Sequence, residues 1–372
     1  MKVIAAVARE ANQPFSLEEL EMQSPGADEV IVAIKGVGLC HTDITSKDFP
    51  LPPSLPAVLG HEGAGIVEEV GSNVSHLKAG DRVVISFASC GGCHNCHDDL
   101  PGYCDNFLML NQTGQRIDGS TGLRHGDERI SSHFFGQSSF ASHALTDARN
   151  CIKIDDPELP IHLLGPLACG IQTGAGTVIK ALDAKAGGSL LVLGGGTVGL
   201  SSVMAGAMIG LTNITVVEPM ASRRELAISL GASQCIDPIN QDLSACLKEV
   251  YTSGVDYIVD STARSEIIET AIIHLALRGK MALLGFPPDP ERVIALPIFQ
   301  LMAKGQSVIG AIEGDVNPHE FIPYMLNLYK QGKFPFTKLI TLYHLSEINQ
   351  AVKDQHEGVC VKPVMVLGSE HE

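Results

Sequence analysis

The sequence predicts an α/β protein of two domains, one rich in β-strands and one built as a doubly wound parallel sheet. Three observations carry that prediction. Residues 1 to 150 hold many glycines and short apolar runs but no long helical period. Beyond residue 170 the pattern changes to strands alternating with helices. Within that alternation a G-x-G-x-x-G turn, Gly194, Gly196 and Gly199, stands directly after a strand and directly before a helix.

The whole chain sets the outer limits. Its 372 residues suit two domains, and 45% hydrophobic composition is ample for packed cores. A formal net charge of −16 argues against nucleic acid or an anionic membrane as partner. Ten cysteines, clustered in a long chain, point to metal ligation in a reducing, cytoplasmic compartment rather than to disulfides. The apolar opening Met1 to Val7 is too short for a signal peptide and is interrupted by Arg9 and Glu10, so it reads as a first strand. Ser189 to Val217 carries no charge and has the length of a membrane span. Three consecutive glycines and the return of β-branched residues at Ile214 to Val217 make it a buried strand–turn–helix–strand unit instead.

In the first domain, strands are expected at 30–37, 64–70 and 81–85, and residues 105–135 read as a long polar loop. A helix at 171–182 connects to the second domain. There strands are expected at 190–194, 213–218, 233–237, 255–261, 280–285 and 307–312, with helices at 197–210, 222–230, 242–252, 265–277 and 297–304. The predicted division is 1–170, 171–312 and 313–372, the last segment returning to complete the first domain.

Two cysteine groups carry metal chemistry. Cys40 and His61 each offer one zinc donor, and a catalytic zinc takes three protein ligands and leaves a fourth position open. Cys169, in Gly165-Pro166-Leu167-Ala168-Cys169-Gly170, is the best third donor. Taken singly, Cys40 reads as a buried thiol rather than a ligand, and His61 could be a core histidine; the second cluster and the glycine turn shift the balance to metal. Cys90, Cys93, Cys96 and Cys104 have two, two and seven intervening residues, a spacing that closes four thiolates on one zinc. Such a closed site is structural. Two zinc ions per chain follow.

The glycine turn is a dinucleotide site: Gly194 makes the tight turn, Gly196 lets a pyrophosphate approach, and Gly199 permits close helix packing. Glu218 ends the next strand, where a carboxylate accepts from both ribose hydroxyls and repels a 2′-phosphate, so the cofactor read is NAD. Arg223 and Arg224 complicate that reading, because guanidinium groups also suit a 2′-phosphate.

In order along the chain, Cys40-His41-Thr42-Asp43, Gly60-His61-Glu62 and the segment ending at Cys169-Gly170 resemble the zinc-dependent medium-chain alcohol dehydrogenases. Residues 134–144 and 164–176 are most similar to the bacterial aryl and allylic alcohol dehydrogenases. The resemblance implies a GroES-like catalytic domain beside a Rossmann domain of six parallel strands, and a homo-oligomer. It places His41 and Lys362 at the cofactor phosphates and Arg223 at the ribose, although solvent exposure is an equal account of a lone Lys362. Thr42 becomes the first proton relay, Asp43 the hydrogen-bond partner of His61, and Glu62 a residue beside the zinc. Thr45 stands where some relatives carry a relay histidine.

The substrate implied is a primary aryl or allylic alcohol, oxidised reversibly to the aldehyde. Phe49, Phe87 and Phe107, with Leu55, Leu108 and Leu110, flank the ligand segments and either line a pocket or pack the barrel. The competing readings are an NADPH-dependent aldehyde reductase of the same fold and a non-catalytic dinucleotide sensor.

Overall fold

The computed structural model describes residues 1–49, 52–287, 289 and 291–368. The chain divides into two compact units.

The first comprises Met1–Cys169, Asn317–Tyr324 and Thr337–Glu372. Its opening residues form the strand Lys2–Ala8, paired antiparallel with Ser16–Met22. A second sheet is organised around Glu29–Gly38, which pairs antiparallel with Gly63–Val70, His143–Asp147 and Lys362–Val366. This long strand is buried along most of its length, as β-branched residues at 30, 31, 32, 34 and 37 require. One continuous apolar core, with Phe134 and Phe140 among its largest members, fills the unit.

The stretch 105–135 is not the featureless loop expected. It contains the helix Phe107–Gln112 and the hairpin of Leu123–His125 with Glu128–Ile130, which extends the first sheet beyond Ser16–Met22. The hairpin turns on Gly126, whose φ of +60° a glycine adopts without strain. Three-residue strands are too short to show an alternating pattern against a polar background, so periodicity could not reveal them.

The second unit comprises Gly170–Val316 and Met325–Phe336. Its sheet has six strands among the described residues, in the spatial order 234–236, 213–217, 189–193, 255–260, 275–283, 307–310, every neighbouring pair parallel. Strand order reverses between 189–193 and 255–260, the switch point at which doubly wound sheets take dinucleotides. The fold class is therefore the predicted one. Two boundaries differ. The helix expected over 265–277 stops at Ile272, because Leu275 already begins the strand Leu275–Leu283. The connecting helix is α-helical only over Gly170–Gly176 and widens into a π-helical turn over Thr177–Ala181. The uncharged run after Ser189 is a strand, the 13-residue helix Thr197–Ile209 and a second strand. Among the described residues no helix is long and apolar enough to cross a membrane.

Candidate active site

In the first unit, Cys40 precedes the helix His41–Asp48, and Asp43 in that helix organises its surroundings. The fully buried Asp43 carboxylate accepts from the Cys40 N–H (2.9 Å), from the Gly60 N–H (3.1 Å) and from His61 Nδ1 (2.8 Å). One carboxylate thus ties both ligand segments together and assigns the His61 proton to Nδ1. Gly60 has a φ of +89°, and a Cβ there would lie 2.5 Å from the Phe140 nitrogen, so only glycine makes this turn.

His61 Nε2 is buried and has no hydrogen-bond partner. It lies with Cys40 Sγ, Cys169 Sγ and a Glu62 oxygen in a group whose ligand atoms are all within 4.8 Å of one another. An orphaned imidazole nitrogen facing two thiols is costly unless a metal satisfies it, and two sulfurs with one nitrogen are a zinc donor set. The Cys40 charge agrees: contact with Cys169, and then with His61, holds its thiol well below its ordinary range against the opposing effect of burial. Burial depresses the His61 imidazole, but Asp43 and Cys40 outweigh it and raise it, so a metal at Nε2 would have to displace a proton there. Cys169 reaches the site because Gly165 packs directly on the chain at Glu62, where a Cβ would lie 2.0 Å from the Glu62 carbonyl oxygen.

Glu62 and Lys362 form a buried pair. Lys362 Nζ donates to both Glu62 oxygens (2.8 and 2.9 Å) and to the Leu39 carbonyl (3.0 Å). Burial alone would lower the Lys362 pKa, but Glu62, Cys40 and Cys169 outweigh it and hold the ammonium charged. The Lys362 side chain is 1% exposed and all three ammonium donors are engaged within the protein. Gly38 leaves the space for this pair, since a Cβ there would lie 1.9 Å from Glu62 Oε2. Thr42 Oγ1 stands 3.7 Å from Cys40 Sγ, His41 is exposed at the start of its helix, and Thr45 is buried.

Sequence reasoning assigned no role to the residues that enclose His61. The Phe135 ring stacks on the imidazole at 4.4 Å between centroids and 25° between planes, and Phe134 meets it edge-on at 5.6 Å. Phe135 does so from a left-handed backbone conformation (φ +49°, ψ +36°), an unusual one for a bulky residue. Gln137 Nε2 donates to the His61 carbonyl, and its Oε1 accepts from the Gly63 N–H. None of these is a metal donor, so ligand spacing could not identify them. Phe107 meets Phe135 edge-on and Phe87 lies against Phe107, so these two belong to the aromatic cluster at His61. Phe49 and Leu108 are exposed side chains.

The four-cysteine loop forms the second group among the described residues that can hold a metal. Cys93 Sγ lies 3.5 Å from Cys96 Sγ and 4.0 Å separates Cys90 Sγ from Cys96 Sγ. Backbone N–H groups aim at the sulfurs: those of Cys90 and Asn106 donate to Cys104 Sγ, and the Gly92 N–H holds the Cys90 thiol down to about 6. His94 is exposed and paired with Asp98, outside the group. All ten cysteines are free.

In the second unit the glycine turn has the expected shape. Gly194 has φ +100°, and a Cβ at Gly199 would lie 1.9 Å from the Gly194 carbonyl oxygen. Gly196 caps the helix Thr197–Ile209, whose first N–H groups are the anion-binding end of that helix. Nothing lies within 4 Å of where a Gly196 Cβ would stand, which leaves the turn open for close approach. Glu218, 4% exposed, accepts from the Gly195 N–H (2.6 Å) and the Met220 N–H (2.9 Å). A carboxylate has about four acceptor positions, so two remain for hydroxyl groups. Arg224 donates to the Glu218 and Pro219 carbonyls and pairs with Asp237, which accounts for it structurally. Arg223 is half-buried on the helix Ala221–Ser229.

Comparison with known proteins agrees with this arrangement. Residues 26–156 match the alcohol dehydrogenase GroES-like domain, and residues 197–331 match the zinc-binding dehydrogenase domain. A geraniol dehydrogenase of Castellaniella defragrans is 44% identical over 98% of this chain and 97% of its own. The crystal structure of benzyl alcohol dehydrogenase from Acinetobacter calcoaceticus has a TM-score of 0.95 at 40% identity, covering 99% of this chain and all of that one. That of an alcohol dehydrogenase zinc-binding domain protein from Burkholderia ambifaria has a TM-score of 0.95 at 43% identity over 99% of this chain and 100% of that one. The chain belongs to the zinc-dependent medium-chain alcohol dehydrogenases.

Proposed function

We propose that the chain oxidises primary aryl or allylic alcohols to aldehydes with NAD, reversibly. The observation that carries this reading is the orphaned Nε2 of His61 among the sulfurs of Cys40 and Cys169. These three residues would hold a zinc ion, which when bound polarises the alcohol oxygen, while NAD on Gly194, Gly196, Gly199 and Glu218 accepts the hydride.

The chain's own residues do the rest. Asp43 fixes the His61 tautomer and presents the Nε2 lone pair to the metal. Thr42, beside Cys40, accepts the alcohol proton and passes it on; Thr45 is buried and cannot buffer it, so the proton leaves by another route. His41 and Arg223 serve the cofactor. Glu62, whose oxygen lies in the same group of donor atoms, would stand beside the metal and is held by Lys362. NAD, when bound, would take the carbinol hydrogen with its electron pair, and Thr42 would carry away the O–H proton.

Cys90, Cys93, Cys96 and Cys104 would hold a second, structural zinc. Cys104→Ser is expected to lower zinc content from two ions to one per chain and to reduce the melting temperature, as elemental analysis and calorimetry would show. An unchanged zinc content would contradict the assignment.

Phe134 and Phe135 are buried against His61 in the core, so of the aromatic group only the half-buried Phe107 would offer flat apolar surface, a ring contact contributing on the order of 1 kcal/mol. The chain's similarity to a geraniol and a benzyl alcohol dehydrogenase supports the same class. The test is a panel of alcohols assayed by NAD reduction. We expect kcat/KM for benzyl alcohol or geraniol to exceed that for ethanol by at least roughly tenfold. Equal efficiency with ethanol would overturn the substrate reading while leaving the zinc–NAD assignment intact.

A homo-oligomer fits the surface of the second unit. Leu277, Ile298, Phe299 and Met302 are all more than 70% exposed, and the strand Ser307–Gly310 is an edge of its sheet. A cytoplasmic location fits ten free cysteines.

A further inference from the structure

Beyond the strand Ser307–Gly310 the chain makes an unusual turn. Glu313, Gly314 and Asp315 are successive residues in the left-handed region, with φ of +54°, +76° and +55°. Two of the three are not glycine, and such conformations persist only where the surroundings hold them. The holding contacts are visible. A Cβ on Gly314 would lie 2.6 Å from the Gln172 carbonyl oxygen, and one on Gly176 would lie 2.6 Å from the Gly314 carbonyl oxygen. The turn is therefore pressed onto the helix Gly170–Gly176. Glu313 is 7% exposed, and its Oε2 accepts from Gln172 Nε2 (2.9 Å) and from Thr173 Oγ1 (3.4 Å). A carboxylate has been placed in the interior of the unit with polar partners supplied for it.

The same short helix touches the glycine-turn helix on another side. A Cβ on Gly170 would stand 3.2 Å from Thr197 Cγ2, and one on Gly174 would stand 2.1 Å from the Val198 carbonyl oxygen. Helix 170–176 thus packs against both the phosphate-binding end of Thr197–Ile209 and the acid at 313. Topology assigns the two acids to opposite halves of the cofactor crevice. Glu218 follows the strand Asn213–Val217 on the adenosine side of the switch point, and Glu313 follows Ser307–Gly310 on the other side.

Resting on the NAD reading above, we infer that Glu313 is a charge-selecting residue of the nicotinamide half. Its buried carboxylate favours the oxidised, cationic ring over the neutral reduced ring. The adenosine and pyrophosphate groups are common to both cofactor forms, so the bias shows only in their ratio. A buried charge acts through a low effective dielectric, which makes a difference of about tenfold reasonable.

The test is calorimetric titration of the zinc-loaded protein with NAD⁺, NADH and ADP-ribose, for wild type, Glu313→Gln and Glu313→Asp. Glutamine keeps an oxygen acceptor for Gln172 and Thr173 while removing the charge. We expect Glu313→Gln to weaken NAD⁺ by about tenfold, with NADH within about twofold and ADP-ribose unchanged. Glu313→Asp keeps the charge and should keep the wild-type NAD⁺/NADH ratio. A merely structural lock on the turn would move all three ligands together in Glu313→Gln, or shift the ratio equally in both variants. Either result overturns the inference, as does an unchanged ratio in Glu313→Gln. A wild-type chain that binds neither NAD⁺ nor ADP-ribose overturns the cofactor reading as well, so the two failures are distinguishable.

Discussion

Replacing Cys169 with serine is expected to lower kcat by at least about a thousandfold, roughly 4 kcal/mol of barrier, in a protein that remains folded. The side chain loses a sulfur donor, not a packing role. Serine is nearly the same size, but its hydroxyl is a poor zinc ligand, which leaves His61 and Cys40 as a two-donor site. The measurement is steady-state NAD reduction together with elemental zinc analysis. One zinc should remain, held by the four-cysteine loop, and the melting temperature should change little. A variant that keeps near-wild-type turnover would remove Cys169 from the metal.

The second large effect is on stability. Lys362→Met should destabilise the protein by about 3–5 kcal/mol, because removing one member of a buried ion pair leaves the other charge uncompensated. Glu62 would remain fully buried without its two strongest donors. For a protein of this size that corresponds to a melting temperature lower by about 4–6 °C. Lys362→Met combined with Glu62→Gln should recover much of the loss, since no unpaired charge is then left behind. A phosphate-contacting lysine would behave differently: NAD affinity would fall while thermal stability held. Differential scanning calorimetry of the single and double variants separates the two roles.

That lysine also shows where sequence reading stops. Lys362 and Glu62 are 300 positions apart and meet because the strand Lys362–Val366 pairs with Glu29–Gly38. No local pattern encodes a contact of that kind. By contrast, the four-cysteine loop and the glycine turn were legible, because each is a set of residue types at fixed short spacings, whereas Cys40, His61 and Cys169 lie far apart in the chain and were grouped with the help of the family resemblance. Asp43 was named through the resemblance, as the partner of His61; the helix start that brings its carboxylate back to the Cys40 N–H was not among the expected elements. The parallel sheet could be read from alternating periodicity, and its strands fall within a few residues of expectation. Its least regular member, Leu275–Leu283, begins earlier than predicted, where the pairing with Val255–Asp260 shifts register.

The aromatic cluster was hidden for a different reason. Phe135 is identifiable as a phenylalanine in a family-like segment, but its stacking on His61 depends on a left-handed backbone that propensity argues against. Glu313 is a similar case. An acid followed by glycine and aspartate reads as a surface turn, and only packing on Gly170–Gly176 shows that it is interior. In both places local preference and tertiary structure conflict, as they do where function holds a strained backbone in place.

Zinc held by Cys40, His61 and Cys169 and hydride transfer to NAD are the centre of the proposed chemistry. The most direct test is graded removal of zinc with a chelator, following bound metal and the rate of benzyl alcohol oxidation at roughly 340 nm, where reduced nicotinamide absorbs. Activity is expected to fall in proportion to loss of one zinc per chain and to return when zinc is restored, the structural ion remaining in place. A chain that oxidises the alcohol at full rate with its open metal site emptied would contradict that chemistry.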